Sequence, residues 1–242
     1  MQDYVIFHPE RAAFRVEGIA SVRRAAEQPW TGIIYADPSD LDFGRNEDPY
    51  VWSIPWLYSY CHATQLRRNL SKRTAFVKAG SRLFFCDNHA ARRGLLAVDT
   101  VFVVGERHPW HSVGSVPPTS IRGASQEGSE EYLRHFRHGI NRKGEGHRGK
   151  YTYTAKHNEP QRSFLPLGAD GKALSAPARI LKDVSAEHLG SRVPVGQTSH
   201  TLALSRSDGD ALYRFCDVEA QTRVFELLKA LDHGQGGWSC PC

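Results

Sequence analysis

Residues 74–106, TAFVKAGSRLFFCDNHAARRGLLAVDTVFVVGE, constrain the fold more than any other part of the chain. Two apolar runs, 82–86 and 95–104, flank a short connector holding Arg92, Arg93 and Gly94. Both runs are rich in Val, Phe and Leu and have the length of buried strands. Gly80 and Ser81 sit just before the first run, where glycine's freedom permits a tight turn. The pattern predicts a β-hairpin whose two strands lie inside a core.

Elsewhere the signals are mixed. Residues 4–7 and 31–35 read as strands, and 18–27 carries Ile19, Val22 and Ala26 at helical spacing before Pro29. Residues 57–70 read as a helix. Residues 108–128, with three Pro and several Gly and Ser, read as a linker or long loop. Ser129 is placed to cap a helix carrying Tyr132, Leu133, Phe136 and Ile140 on one face. Tyr151 to Thr154 alternates aromatic and Thr, as an edge strand would. Asp170-Gly171 and Asp208-Gly209 read as turns. Residues 178–184 and 201–204 are strand candidates, and 211–215 would follow the second turn. Asp217 would cap a last helix bearing Val224, Leu228 and Leu231, with Gly234 as its stop. Strands and helices without βαβ alternation predict an α+β fold. Residues 1–115 and 116–242 read as two portions, which one domain can also accommodate.

Composition sets the outer limits. No apolar stretch approaches the ~18 residues of a membrane-spanning helix. The opening MQDYVIFHPE has neither a basic leader nor an apolar core, so no signal peptide is expected and the expected compartment is the cytoplasm. Five Cys, an odd count, point to reduced thiols rather than a disulfide framework. The net charge of +5 matters because it is clustered.

The cluster is 134–153, RHFRHGINRKGEGHRGKYTY. Arg134, Arg137, Arg142, Lys143, Arg148 and Lys150 stand with His135, His138 and His147 against a single Glu, and Tyr151 and Tyr153 follow at once. Such cations neutralise phosphates, and adjacent aromatics can stack on bases. The expected partner is therefore nucleic acid, DNA or RNA; the competing reading is a solvated basic loop. The same stretch spells Gly144-x-Gly146-x-x-Gly149 and a near phosphate loop ending in Lys150. Both fail on context: a helix is predicted before them and a strand after, and Tyr151 stands where a magnesium-binding Ser or Thr belongs.

The segment DPYVWSIPWLYSY gathers Trp52, Trp56 and Tyr58 with Tyr50 and Tyr60. These aromatics can line a pocket for a planar base, or simply form core. Asp37, Asp40, Asp42, Glu47 and Asp48 in the preceding loop read as solvation rather than an ion site. Cys86-x-x-His89 and Cys240-x-Cys242 have local ligand spacing but lie far apart, so no metal and no cofactor are expected. No nucleophile signature such as G-x-S-x-G occurs. An enzymatic alternative is a nuclease or base-modifying enzyme using His135, His138, His147 and His157, with His as general base beside an Arg. A further alternative is a non-enzymatic regulatory or defence module.

The run V-K-A-G-S-R-L-F-F, a short connector, and L-A-V-D-T-V-F-V-V-G-E resembles the central hairpin of PUA-like barrels, the superfamily of the ASCH, EVE and SRA types. It is also similar to nucleotide-modification-associated domains of bacterial and phage gene clusters. Ser81 stands where that pattern more often has Asp, and residues 108–242 have no counterpart in it. The resemblance implies a small mixed or antiparallel β-barrel with flanking helices over 1–115, and the residues themselves give 116–242 as a basic α+β C-terminal portion. It implies nucleic-acid binding through a modified or flipped base, and it carries over no catalytic residue.

Overall fold

In the computed structural model, which describes residues 1–8, 14–22, 30–38, 49, 56–59, 77–87, 94–109, 151–156, 160–167, 172–184 and 200–233, the two apolar runs form the expected hairpin. β5 (Arg82–Asp87) and β6 (Leu95–Pro109) pair antiparallel, with Leu83 opposite Phe102 and Phe84 opposite Val101. Gly80 takes φ +81°, the left-handed turn that lets β5 begin. A bulge interrupts the pairing: Phe85 faces Thr100 and Cys86 faces Val98, leaving Asp99 as the extra residue. The Thr100 hydroxyl donates to Asp99 Oδ1 at 2.6 Å. The bulge resets the alternation, so Val98 and Val101 share one core although three residues apart.

The remaining described elements are β1 (Asp3–His8), β2 (Phe14–Val22), β3 (Trp30–Pro38), β4 (Leu57–Ser59), β7 (Tyr151–Ala155), β8 (Leu174–Pro177), β9 (His200–Leu204), a 3-10 turn at Ala178–Ile180 and one α-helix, α1 (Arg206–His233). The main sheet runs β4-β7-β6-β5-β1-β9, with β8 paired to the start of β6. β1 lies parallel to β5 and antiparallel to β9. Strands from both halves of the chain thus share one sheet. β2 and β3 pair separately as a two-stranded antiparallel sheet. The architecture is α+β.

It is not the closed barrel that the resemblance implied. Among the described residues the sheet ends at β4 on one side and β9 on the other, and those edges do not pair with each other. Local expectations are corrected as well. Residues 18–22, the first part of the segment 18–27 expected as a helix, belong to β2, with register irregularities around Gly18, and 23–27 lie outside the described residues. β7 is interior, between β4 and β6, not an edge. Residues 178–180 form a 3-10 turn where a strand was expected. Residues 206–233 form a single helix, running through the expected Asp208-Gly209 turn, the segment 211–215 expected to follow it, and the expected cap at Asp217. Of the helix expected at 57–70, residues 57–59 are strand. The rest of that segment lies outside the described residues.

Strand alternation divides the core into two faces. Val5, Phe7, Phe84, Cys86, Val101 and Val103 meet Leu212, Tyr213, Cys216 and Ala220 of α1. That helical spacing is one apolar stripe turned to the sheet. Tyr4, Ile6, Leu83, Phe85, Phe102 and Val104 occupy the other face, with Trp56, Tyr58 and Tyr153. Burying each such large side chain contributes ~1.5–3 kcal/mol. Among the described residues, no helix is long and apolar enough to cross a membrane.

Candidate functional site

The parallel pairing of β1 and β5 brings two opposite charges together at the start of both strands. Tyr4 pairs with Leu83, so Asp3 and Arg82 precede them at the same end, on the face covered by α1. Asp3 Oδ1 accepts the Arg82 backbone N–H at 2.8 Å. Asp3 Oδ2 accepts Nε at 2.9 Å and also Nη2. Nη2 reaches Asp210 Oδ1 at 2.7 Å, and the guanidinium sits 5.5 Å from the Tyr213 ring centroid. Burial works against the guanidinium charge. Asp3 and then Asp210 outweigh it, so Arg82 is held charged above its ordinary range.

The start of α1 is built onto this cluster. Ser205 caps the helix: its hydroxyl accepts the Asp208 N–H at 3.2 Å, and its carbonyl accepts the Gly209 N–H at 2.9 Å. Asp208 accepts the backbone N–H groups of Lys182 and Asp183 at 2.7 and 3.1 Å, tying the helix to the turn after β8. Gly209 has to be glycine for a reason of space. A Cβ there would lie 2.2 Å from Asp3 Oδ2 and 3.0 Å from Arg82 Nη2. Further along, the Tyr213 hydroxyl accepts the Arg162 N–H at 3.1 Å and donates to the Arg162 carbonyl at 3.2 Å. Each carboxylate here serves a fixed donor, and only Asp210 opens substantially to solvent, at 42% of its side chain. The arrangement holds charge in place and fastens a helix; it presents no reacting atom.

The residues singled out in the sequence fare differently. Trp56 and Tyr58 are 0% and 1% exposed and Tyr153 is 4% exposed, all within the second face of the core. Tyr58 meets Phe85 edge-on at 5.1 Å and stacks on Tyr153 at 6.3 Å. The Tyr153 hydroxyl accepts the Val77 N–H at 3.3 Å. Tyr151 opens β7 opposite Pro109. Trp52, Arg134, Arg137, Arg142, Lys143, Arg148, Lys150, His135, His138, His147 and His157 lie outside the described residues.

Cys86 is fully buried beside Cys216, and burial pushes both thiols well up. Its sequence companions His89, Cys240 and Cys242 lie outside the described residues. No cluster of three His, Cys, Asp or Glu suited to a metal ion occurs among the described residues.

Sequence reasoning passed over Asp3, Arg82, Asp208, Asp210 and Tyr213. The available signal was two charges of opposite sign, each opening a strongly apolar run.

No protein-family model, curated protein or solved structure matches the chain. The functional argument therefore rests on its own residues.

Proposed function

We propose that the chain binds nucleic acid, gripping the phosphate backbone through residues 134–150. The observation that carries this is charge density: six Arg or Lys and three His within seventeen residues, against one Glu. Glycines 144, 146 and 149 carry no side chain to block close approach to a backbone. Lys150 is followed directly by β7, whose register sets Tyr151 against Pro109, six residues past the Val103 that pairs with Arg82. The run therefore enters the sheet ~20 Å along β6 from the buried ion cluster. Arg107, exposed on β6, stands opposite Tyr153 close to that entry. Recognition of a modified or flipped base belongs to this reading as its finer form, with Trp52 as its stacking candidate.

The test is affinity for a labelled oligonucleotide across salt concentrations. Replacing Arg142, Lys143, Arg148 and Lys150 together by Ala should lower the log-affinity against log-salt slope by about 3 units. A slope identical to that of the parent protein would remove the assignment.

A further inference from the structure

The basic run belongs to one long excursion between neighbouring strands. β6 ends at Pro109, β7 begins at Tyr151, and these two residues are partners in one rung of the sheet. Residues 110–150 therefore leave and re-enter the sheet at a single rim. Lys150 is joined directly to Tyr151, so a ligand held at the end of the run lies beside that rim.

Two exposed cations are described there. Arg107 pairs with Tyr153, two rungs or ~7 Å along β7 from Tyr151, and cross-strand partners share a face. Lys78 is exposed in the turn before β5. Its carbonyl accepts the Ser81 N–H at 3.1 Å, and the Gly80 N–H within that turn donates to the Val104 carbonyl at 2.7 Å. Val104 precedes Arg107 on β6 by three residues, no more than ~10 Å. Lys78 also follows Val77, whose N–H donates to the Tyr153 hydroxyl at 3.3 Å. Both cations thus stand on backbone fixed around one buried ring, Tyr153. The described segments of this rim, 77–81, 104–109 and 151–156, hold Lys78, Arg107 and Lys156 against Glu106, so their net charge is positive.

We propose that Arg107 and Lys78 carry the nucleic-acid contact from residues 134–150 onto the sheet, each taking a phosphate of the same strand. This rests on the reading of 134–150 as the backbone grip. A phosphodiester strand repeats its charge at every nucleotide, so cations spaced along a rim each meet one. Such contacts set where the strand lies and carry no base preference.

The experiment measures the affinity of the full chain for a labelled oligonucleotide across salt concentrations. Wild type is compared with Arg107→Ala, Lys78→Ala, Arg107→Lys and Arg214→Ala, and with the fourfold alanine variant of the run. Arg214 is exposed on α1, which packs on the other face of the sheet, so its loss changes net charge equally without touching the rim. Arg107→Ala and Lys78→Ala should each flatten the log-affinity against log-salt slope by about 1 unit, with base preference unchanged. Arg107→Lys and Arg214→Ala should keep the wild-type slope. If either rim alanine variant keeps that slope while the fourfold variant flattens it, the rim contact is overturned and the grip at 134–150 stands. If the fourfold variant keeps the slope, both fall. Flattening by Arg214→Ala as large as that of the rim variants reduces the effect to net charge and overturns the rim contact. So does Arg107→Lys flattening the slope as much as Arg107→Ala, because the charge is then not what binds.

Discussion

Asp3 closes on Arg82 from two directions, one carboxylate oxygen taking the backbone N–H at 2.8 Å and the other taking Nε at 2.9 Å. One aspartate thus fixes both the strand and the side chain of its neighbour. The pair is 6% and 4% exposed. Buried pairs of this kind add little net stability over an apolar substitute, yet removing one member strands the other. Asp3→Ala should therefore cost ~3–5 kcal/mol in urea unfolding. The double change Asp3→Leu with Arg82→Met should recover part of that loss. A single variant within about 1 kcal/mol of the parent would show the cluster to be solvated and weak.

Gly209 offers a test of sign. In an open helix, glycine to alanine is favourable by about 1 kcal/mol. Here the added methyl meets Asp3 Oδ2 at 2.2 Å. Gly209→Ala should consequently lower the melting temperature, and Gly209→Val should lower it further. A rise with alanine would mean that the helix start sits away from the cluster.

Trp56 is the aromatic whose role is sharpest to separate. It is wholly buried, and its carbonyl accepts the Ala155 N–H at 2.9 Å. Trp56→Ala should cost ~3–5 kcal/mol of stability. Oligonucleotide affinity should fall only with the folded fraction, leaving base preference unchanged. A stable variant with altered base preference would instead put Trp56 against the ligand.

Tyr4 gives the fold an alkaline limit. Burial, with Tyr153 and Asp3 adding to it, raises its phenol from 10.0 to about 12. The folded state therefore holds the proton more tightly than the unfolded chain. Stability from this group is fully present below pH ~10 and is lost as pH rises from there toward about 12. Unfolding free energy measured from pH 9 upward should decline more steeply in wild type than in Tyr4→Phe. Parallel curves would place the phenol in water.

The legible parts of this fold are those written in local pattern. The β5–β6 hairpin could be read because Leu83 to Cys86 and Leu95 to Val104 are nearly continuous apolar runs with Gly80 before them. β2 could not, because Ile19 and Val22 mimic helical spacing while pairing actually sets Ile19 against Ile33. α1 was misread for a related reason. Asp208-Gly209 has the letters of a turn, but Gly209 is required by the approach of Asp3, which lies far away in sequence. The Asp3–Arg82 contact follows from a parallel pairing that no local spacing announces. The aromatics Trp56 and Tyr58 were recognised as a group, and burial, which spacing does not report, decides which way they face.

The place of β1 has a consequence for how the protein comes into being. This strand is made before both of its neighbours, yet it lies between β5 and β9, and its Val5 pairs with Phe84 on one side and Leu202 on the other. At a synthesis rate of ~5–20 residues per second, it waits roughly 10–40 s for its second neighbour. Through that interval Val5, Ile6 and Phe7 have an uncovered strand edge beside them. Chaperone dependence during translation, and tolerance of a slow codon stretch before β9, should both trace to this one strand.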